Sequence, residues 1–553
     1  MEVEISKQQQ RKPSKGGWKS AFFIIWVEVA ERFAYYGMSG NLITYLTNVL
    51  KEPTATAAKN VNIWFGISAL LPLVGAFMAD SYFGRFNTIL VSSVIYLKGL
   101  VLLALSVSII PARFRRQIFF LSLYIVAIAE GGHKPCVQAF GADQFDEDNP
   151  EEQKAKSSFF NWWYFGICIG AFAATLVVIY LQDNVGWAVG FAVSAGAMGM
   201  ALVVFLLGQK LYRRQVPSGS PLTQVAQVFV AAVHKRNLPV MECGYGEAME
   251  VQGISRNLAP TNQFRFLDKA AIVDNTDRLS GCKNTWRLCS VTQVEEVKLL
   301  IRLIPIWFSC LMYAVLFAQV ATFFTKQGST MNRKIGSNFH VPPASLQLST
   351  GLVIMFFLPI YDRILVPVAR KLTGLPSGVT MLQRIGIGMF LSIIGMVIAA
   401  LVEARRIRIA REHGLLDLPK LTVPMSIWWL LPQYMIWGLA DVFAIVGLQE
   451  LFYDQMPDTL RSLGAAAWLS IIGVGSLLSS FVISIIQSIS SRYGESWLGN
   501  NLNRAHLDYY YWVLAGLSTL WSCAYVLVAK FFIYKKIDGV DGDATTEEAL
   551  MTL

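Results

Sequence analysis

Three ionisable side chains, Glu28, Glu31 and Arg32, stand in the middle of an apolar run from about residue 21 to residue 46. Such a run is long enough to cross a bilayer as a helix, which takes roughly 20 residues. Each charge at the centre of that helix costs about 2.5–3.5 kcal/mol of insertion free energy. On a helix the three side chains share one face, because Glu28 precedes Glu31 by three positions and Arg32 by four. Residues this costly usually face a polar cavity, so we predict that this face is functional.

Other ionisable residues fall at a similar depth in later apolar runs. They are Lys98, Glu130, His133, Lys134, Asp441 and Glu450. A carboxylate that is paired with a basic side chain loses that pairing when it is protonated. Pairs between the two halves of the chain could therefore couple proton uptake to a gate. Snorkelling or packing is favoured for Lys98, a structural role is slightly favoured for His133, and Glu450 resembles an ordinary interfacial acid.

The composition of the chain is that of a membrane protein. Of its 553 residues, 54% are hydrophobic and only 15% are charged, whereas soluble proteins carry about 25% charged residues. The formal charge of +10 fits basic cytoplasmic loops better than nucleic-acid binding. The first 19 residues are polar and basic, and the apolar run that follows is too long for a cleaved signal peptide.

Signatures of enzymes and metal sites do not occur in the sequence. There is no HExxH, GxSxG or Walker motif, and the seven cysteines form no CxxC pair. We therefore predict that the chain is not an enzyme and uses no cofactor or metal. From the charge pairs described above, we predict that protons are the coupling ion. Its predicted partners are a small-molecule substrate, protons and the lipid bilayer, without nucleic acid.

The apolar runs predict an all-α membrane protein of about twelve spans. These lie at about residues 20–46, 61–82, 87–110, 117–140, 159–181, 186–208, 295–325, 343–370, 380–402, 424–452, 463–489 and 507–534. A polar, acidic connector is predicted at residues 143–156. The predicted domains are a tail at 1–19, a six-helix bundle at 20–208, a linker at 209–294, a second six-helix bundle at 295–535 and a tail at 536–553. Two bundles joined by a basic linker, which could hold one amphipathic helix, are typical of a secondary transporter.

The distribution of basic residues predicts the orientation. An even number of spans places both termini on one side, and the basic N-terminus and linker favour the cytoplasm. The arginines at positions 113–116 and 405–408 then fall outside, against the rule. The plasma membrane is the predicted location, with the vacuolar membrane as the alternative.

The segment from Asp80 to Arg85 predicts a tight turn between spans 2 and 3. Gly84 permits the turn, Asp80 can cap the next helix, and Arg85 can clamp its neighbours. This pattern favours a structural or gating role over substrate chemistry. Residues 357–363 in span 8 look like a degraded echo of the same turn in the second half.

Several of these motifs resemble one known family. The run from Glu28 to Gly37 reads ExxERFxYYG and resembles the ExxER signature of the proton-dependent oligopeptide transporter family, which has the major facilitator fold. Residues 75–93 resemble the signature of that family in spans 2 and 3. The FGADQFD connector, the long linker and residues 361–363 resemble the plant branch, the nitrate/peptide transporter family.

The resemblance implies a role for each matching residue. Glu28, Glu31 and Arg32 match the proton-coupling motif, and Lys134 matches the lysine of span 4 that interacts with it. Asp441 matches an acidic position in span 10, which would bind a substrate amino group or pair with Lys134. The residues predicted to bind substrate are Arg32, Tyr35, Tyr36, Lys134, Phe317, Gln319 and Asp441. The aromatic residues at these spacings could equally be packing.

Three further positions bear on the resemblance. Thr88 matches a threonine that is phosphorylated in a nitrate transporter of the family, although a hydroxyl at a helix start is the favoured alternative. Phe317 stands where that transporter has a nitrate-binding histidine, so nitrate would need another site. Cys168 replaces an Asn of the span-5 signature, which puts a peptide contact in doubt.

Together these features predict a proton-coupled symporter of nitrate or small peptides that works by alternating access. In the predicted mechanism, protonation of Glu28 or Glu31 releases Arg32, while Lys134 exchanges between span 1 and Asp441. A transporter of a plant hormone or specialised metabolite, and a ligand sensor with little flux, are the alternatives.

Overall fold

The computed structural model describes residues 16–145, 150–214, 221–237, 261, 263–273, 284–336, 339–374, 379–456, 461–492 and 496–534. The predicted tail at 536–553, most of the tail at 1–19, part of the connector and much of the linker lie outside these ranges. Contacts divide the chain into two compact units. The first comprises Met1–Lys51 and Val74–Ser218, and the second comprises Glu52–Leu73 and Gly219–Leu553.

The first unit is built from long helices. They are α1 (Gly17–Ser39), the short α2 (Leu42–Asn48), the end of α3 (Thr54–Met78), a π-helical turn (Ala79–Phe83), α4 (Arg85–Ser108), α5 (Ala112–Ala142), α6 (Pro150–Asn184), α7 (Trp187–Leu207) and a 3₁₀ turn (Gly208–Lys210). Helix α1 packs against α6 and α7, and α4 packs against α5 and α7. The charged face of α1 is therefore enclosed by neighbouring helices.

The second unit contains the start of α3, the linker and the remaining helices. After α3 come α8 (Pro221–His234), a 3₁₀ turn (Arg265–Ala271), α9 (Val291–Ser309), α10 (Leu311–Ala321), α11 (Phe323–Ser329), β1 (Met331–Asn332), β2 (Lys334–Ile335), β3 (Phe339–His340), a 3₁₀ turn (Pro343–Leu346), α12 (Gln347–Ile360), a π-helical turn (Tyr361–Leu365), α13 (Val366–Thr373), α14 (Met381–Glu412), β4 (Val423–Ser426), a 3₁₀ turn (Ile427–Leu430), α15 (Leu431–Asp454), α16 (Arg461–Ser490) and α17 (Leu507–Lys530). The short strands pair as β1 with β4, in parallel, and β2 with β3, antiparallel.

Among the described residues, nine helical segments are long and apolar enough to cross a membrane, and a bent pair of segments makes a tenth. Helices α1 and α5 are not among them. Both carry several ionisable residues, which lowers their mean hydropathy although they are long enough to span. They correspond to spans 1 and 4 of the predicted twelve.

Several predicted helix boundaries were wrong. Span 1 was expected to continue to about residue 46, but α1 ends at Ser39. The chain turns at Gly40 and Asn41, and the Asn41 amide donates a hydrogen bond of 3.0 Å to Asp183 of α6. Part of the acidic connector is helical, because α6 begins at Pro150. Proline suits the first turn of a helix, where its missing N–H would have no partner.

Spans 7, 9 and 10 also differ from the prediction. Span 7 is bent by 50° between α9 and α10, close to Pro305, which removes a backbone hydrogen bond from α9. Span 9 continues ten residues beyond residue 402, to Glu412. Span 10 begins only at Leu431, because residues 423–430 form β4 and a 3₁₀ turn instead.

The longer α14 explains an arginine that seemed to oppose the charge rule. Arg406 is fully buried, and its Nη2 lies 2.7 Å from Oε1 of Glu403. It also donates hydrogen bonds to the Asn503 side chain and the Leu502 carbonyl. Since this charge is neutralised inside the unit, it holds the 496–506 loop against α14 and is a poor topology signal.

The described part of the linker is docked onto α9. Apolar residues of α8 and the 3₁₀ turn, including Val228, Ala231 and Leu267, bury themselves against Val294 and Val297. Helix α8 (Pro221–His234) confirms that a helix lies in the linker, and its apolar side faces this small core.

A buried ion cluster reinforces this docking, and Thr261 is its centre. Glu295 accepts hydrogen bonds from the Thr261 N–H at 3.1 Å and from its hydroxyl at 2.8 Å. Lys298 donates to the Thr261 carbonyl at 2.9 Å, and Arg302 donates to its hydroxyl oxygen. Lys298 also lies 2.6 Å from Asp268 and 2.7 Å from Glu295. Three turns of α9 thus hold one residue of the linker.

The two π-helical turns fall on the pair of segments that the sequence related to each other. One covers Ala79–Phe83 and the other Tyr361–Leu365. A π-turn inserts an extra residue into a helix and is frequent at functional sites. This shared backbone form supports the similarity between the two segments that their sequences indicate.

Candidate functional site

Arg32 contacts both acids of its helix through a single nitrogen. Its Nε lies 2.8 Å from Oε1 of Glu28 and 2.7 Å from Oε2 of Glu31. Nε carries only one hydrogen, and it is donated to Glu28. Neither oxygen of Glu31 receives a hydrogen bond from the described residues, so Glu31 is held by charge alone.

These three side chains are buried by close contact between α1 and α6. Glu28, Glu31 and Arg32 are between 0% and 4% exposed. A Cβ on Gly170 of α6 would lie 2.5 Å from the Val29 carbonyl oxygen and 2.9 Å from Cβ of Arg32. Only glycine allows the two backbones to approach so closely, as is usual where membrane helices pack. This contact therefore fixes α1 beside α6 at the level of Arg32.

Tyr35 lies between the basic side chains of two helices. Its ring centre is 5.7 Å from the Arg32 guanidinium carbon and 5.4 Å from Lys134 Nζ of α5. Both distances are within the range of cation–π attraction. Tyr35 is buried and packs edge-on against Tyr36. The two ring centres are 5.3 Å apart, and Tyr36 is 36% exposed. Tyr35 thus joins the two cations, and Tyr36 is the more accessible of the two rings.

Lys134 is paired with an acid of its own helix. Its Nζ lies 3.3 Å from Oε1 of Glu130, one turn earlier in α5. The predicted partner in span 1 is not in ion-pair contact with it in this structure. The sequence indicates only that Glu130 is an acid deep in span 4. Its spacing of four residues from Lys134 is that of a helical ion pair and could have predicted this contact.

Glycines place this part of α5 against its neighbours. A Cβ on Gly75 would lie 2.0 Å from the Gly131 carbonyl oxygen, so the end of α3 meets α5 backbone to backbone. On the same turn, a Cβ on Gly132 would lie 2.2 Å from the Ser92 hydroxyl of α4. Glu130 and Lys134, on either side of this contact, are therefore held at a defined position.

These residues form one group, which we call the α1–α5 charge cluster. It contains three acids and two bases: Glu28, Glu31, Arg32, Glu130 and Lys134. The charges of Glu31 and Arg32 act on Glu130 across the contact between α1 and α5. With every member ionised the formal charge of the cluster is −1, so a single proton would balance it.

The turn between α3 and α4 carries a second ion cluster. Arg85 Nη1 lies 2.7 Å from both carboxylate oxygens of Asp143, and its Nε lies 3.0 Å from Asp80. The prediction that Asp80 caps the next helix was wrong. Its carboxylate accepts a hydrogen bond from Arg85 instead. Gly84 occupies the cap position with φ +75°, a conformation that favours glycine. Arg85 thus joins the turn to the end of α5.

Thr88 lies in the first turn of α4 and is half-buried. Its hydroxyl donates a hydrogen bond of 3.0 Å to the Gly84 carbonyl. This contact is the one expected of a hydroxyl at a helix start. Phosphorylation of Thr88 stays a prediction.

The second unit holds the remaining predicted substrate residues. Asp441 is 8% exposed and accepts a hydrogen bond from the Tyr313 hydroxyl of α10. Tyr313 had no role in the sequence prediction, and a lone tyrosine in an apolar run gives no signal of such a contact. Phe317, on the same helix, is half-buried.

Gln319 is fully buried, and its amide is used between helices. The NH₂ group donates to the Val315 carbonyl at 2.8 Å and to the Ser479 hydroxyl at 3.0 Å. Its oxygen accepts from the Tyr510 hydroxyl at 3.2 Å. These bonds join α10 to α16 and α17, which favours a structural role over substrate binding.

Comparison with known proteins gives a consistent result. Residues 86–498 match the model of the POT family. The chain is 53% identical over 546 residues to Protein NRT1/ PTR FAMILY 5.4 of Arabidopsis thaliana, covering 97% of this chain and 98% of that protein. It is also 53% identical over 552 residues to Protein NRT1/ PTR FAMILY 5.10 of the same plant, with 97% and 96% covered.

Solved structures show the same fold. An auto inhibited POT family peptide transporter superimposes with a TM-score of 0.72 at 22% identity, over 95% of this chain and 99% of its own. The POT family transporter PepTSo superimposes with a TM-score of 0.70, also at 22% identity, over 93% and 98%. The predicted all-α, multi-span architecture of the major facilitator type is thereby confirmed.

Proposed function

This chain belongs to the POT family, and from that premise we propose that it is a proton-coupled symporter that carries nitrate or small peptides by alternating access. The family consists of transporters, so the chain is a transporter and not an enzyme. The observation that carries the proposal is the charge balance of the α1–α5 charge cluster. Three buried carboxylates face two bases, and one proton brings the formal charge to zero.

The contacts of Arg32 suggest how the proton acts. Protonation of Glu28 removes the charge-assisted hydrogen bond from Arg32, and protonation of Glu31 removes an ionic contact. Either event weakens the hold of the two acids on the guanidinium, which can then bind an anionic group of the substrate. Lys134, held by Glu130, is the second cation available for that role. The exchange of Lys134 between span 1 and Asp441 stays a prediction.

We rank nitrate and small peptides nearly equally as the candidate substrate. An anion such as nitrate needs only the cations of the first unit, at a site that does not depend on the residue at Phe317. A peptide also needs an acid for its amino group, and Asp441 is a candidate because its carboxylate faces the Tyr313 hydroxyl and no basic group contacts it among the described residues. Hormones and specialised metabolites with a carboxylate are the alternative.

Proton-dependent currents in oocytes would test this function. Nitrate, dipeptides and hormones would be applied to cells expressing the chain at acid and at neutral pH. We expect one class to evoke an inward current that is larger at acid pH. Binding without accumulation would indicate a sensor, and currents that ignore pH would refute proton coupling.

Lys134→Ala addresses the coupling itself. We expect this variant to reach the cell surface but to lose uptake driven by a pH gradient. Lys98→Ala is the matched control, because Lys98 lies exposed on α4. Full proton-driven uptake by Lys134→Ala would contradict the mechanism.

We also propose that the chain lies in the plasma membrane with both termini in the cytoplasm. The basic N-terminus and linker support this orientation. A fluorescent tag at either terminus, quenched only after the cell is made permeable, would test it. Tag fluorescence on the vacuolar membrane would favour the alternative location.

A further inference from the structure

His133 is a fully buried titratable residue that the mechanism above does not use. It is 0% exposed, whereas the other four histidines of the chain are exposed or half-buried. Neither of its ring nitrogens has a hydrogen-bond partner in the described part of the chain. A neutral imidazole has one donor and one acceptor, and leaving either unpaired in an interior costs about 1–3 kcal/mol. Such a residue requires an explanation other than packing.

The neighbours of His133 are polar groups with hydrogen-bonding capacity to spare. Its ring meets Tyr96 of α4 edge to face, with ring centres 6.4 Å apart, and no partner for the Tyr96 hydroxyl is found among the described residues. From α1, Glu31 is the charge that acts most strongly on the imidazole, followed by Arg32. Both oxygens of Glu31 likewise lack a donated hydrogen bond within the described ranges.

Groups of two neighbouring helices act on His133: Glu31 and Arg32 of α1 through their charges, and Tyr96 of α4 through its ring. The other members of the charge cluster are Glu28 of α1 and, on the helix of His133 itself, Glu130 and Lys134. The charge of Glu31 reaches the imidazole, and Glu31 is the acid of the cluster whose oxygens receive no hydrogen bond from the described residues. A proton on Glu31 would therefore displace no hydrogen bond donated by the described residues.

We propose that His133 relays the coupling proton to Glu31, an inference that rests on the proposed proton-coupled function. A proton binds one ring nitrogen. Neither the His133 ring nor the Glu31 carboxylate makes a hydrogen bond among the described residues, so their side chains must first turn into contact. The N–H on the other nitrogen then gives its proton to an oxygen of Glu31. The ring is left as the opposite neutral tautomer, and Glu31 gains the proton. Because charging a fully buried imidazole is costly, the ring passes the proton on and does not store it. Histidine suits this role because its two nitrogens can accept and donate in turn.

His133→Gln separates a relay from a packing role. Glutamine keeps a donor and an acceptor in a side chain of similar size but cannot pass a proton through. We expect proton-driven uptake of isotope-labelled nitrate or dialanine to fall about tenfold or more. Counterflow exchange, which needs no net proton movement, should stay within about twofold of the wild type. His413→Gln is the control, because His413 is exposed at the end of α14.

Two results would overturn the relay. One is unchanged proton-driven uptake in His133→Gln, and the other is an equal loss of uptake and counterflow, which would indicate a packing role. Wild-type protein that accumulates neither probe would refute the proposed function instead. In that case the relay is tested without substrate, by magnetic resonance of nitrogen-labelled histidine in the purified protein. The His133 signal, assigned by its loss in His133→Gln, should change its tautomer balance in Glu31→Gln, and an unchanged signal would refute the relay.

Discussion

Lys134 is held by Glu130 of its own helix, with Nζ 3.3 Å from Oε1. Glu130 is fully buried, and its second oxygen has no partner among the described residues. This pair adds a third acid to the proposed coupling residues of α1, since the charges of Glu31 and Arg32 act on Glu130. The acid gives the α1–α5 charge cluster its formal charge of −1, on which the proposed requirement for a proton depends.

Glu130→Gln should therefore weaken the requirement for a proton. Glutamine is nearly isosteric with glutamate but leaves the cluster neutral when the other four members are ionised. We expect the ratio of uptake at acid pH to uptake at neutral pH to fall toward one, because the cluster no longer needs a proton to balance its charge. A fall of about tenfold in this ratio would correspond to about 1.4 kcal/mol. Uptake at both pH values in oocytes measures this ratio. An unaltered ratio would show that Glu130 takes no part in the charge balance.

Glu28 and Glu31 should differ in their contribution to stability. Glu28 accepts the Nε–H of Arg32, whereas Glu31 receives no hydrogen bond from the described residues. We expect Glu28→Gln to lower the free energy of unfolding by about 2 kcal/mol, the usual value of a charge-assisted bond. Glu31→Gln should cost less, because no hydrogen bond from the described residues is lost with its carboxylate. Thermal unfolding of purified protein would compare them with Glu412→Gln, an exposed acid at the end of α14. A greater loss for Glu31→Gln would contradict the assignment.

The contact between α1 and α6 can be tested at a glycine. A methyl group on Gly170 would meet the Val29 carbonyl oxygen at 2.5 Å and must displace α1. We expect Gly170→Ala to cost about 1–3 kcal/mol of stability, as overpacking generally does. Proton-driven uptake should fall with it, because Arg32 is moved.

Gly196→Ala in α7 is the matched control. An added Cβ there has open space, because no atom of a neighbouring helix lies within 4 Å among the described residues. Alanine favours a helix over glycine by about 1 kcal/mol, so this variant should be neutral or more stable. Equal unfolding temperatures for the two variants would mean that α1 and α6 do not require the close approach.

The ion cluster of the linker should lose much of its stability when its buried base, Lys298, is replaced. Lys298 is fully buried between Asp268 and Glu295, so Lys298→Met leaves two acids without their base. Breaking a buried pair in this way costs about 3–5 kcal/mol. Lys334→Met, at an exposed lysine of β2, should have little effect. Limited proteolysis of the linker would report the difference, and equal protection in both variants would refute the docking.

Asp268 should make the stability of the docked linker depend on pH. Burial raises the pKa of its carboxyl, against the lowering effects of the hydrogen bond and charge of Lys298. The folded chain therefore binds more protons than the unfolded chain between the ordinary pKa and the raised one. Its contribution to stability falls as the pH rises through that interval. Asp268→Asn should remove this pH dependence while retaining the Lys298–Glu295 pair. An identical pH profile in the variant would contradict the assignment.

Asp441 separates the two candidate substrates. Its carboxylate would be needed for the amino group of a peptide but not for nitrate. We expect Asp441→Asn to reduce dipeptide uptake by about tenfold or more, the loss expected when a buried charge pair is not made, and to leave nitrate uptake unchanged. Asp454→Asn, at an exposed acid of the same helix, is the control for expression and folding. An equal loss for both substrates would show that Asp441 acts in coupling or in structure.

Much of the site could be predicted because spacing along one helix determines which residues are neighbours. Glu28, Glu31 and Arg32 share a face at positions i, i+3 and i+4, and Lys134 follows Glu130 by four. Spacing does not say which of two acids receives the single Nε hydrogen of Arg32. That depends on the rotamers that the packing around Arg32 allows.

The sequence by itself determined that the chain is a multi-span helical membrane protein with costly charges in both halves, because hydropathy and charge are properties of residue types. Only the tertiary structure decided which groups meet across helices. It placed Tyr35 between Arg32 and Lys134, bonded Tyr313 to Asp441 and docked the linker on α9 at Thr261. These contacts depend on how closely the helix backbones approach, and that approach is set by three-dimensional packing at residues such as Gly170, which have no chemistry of their own.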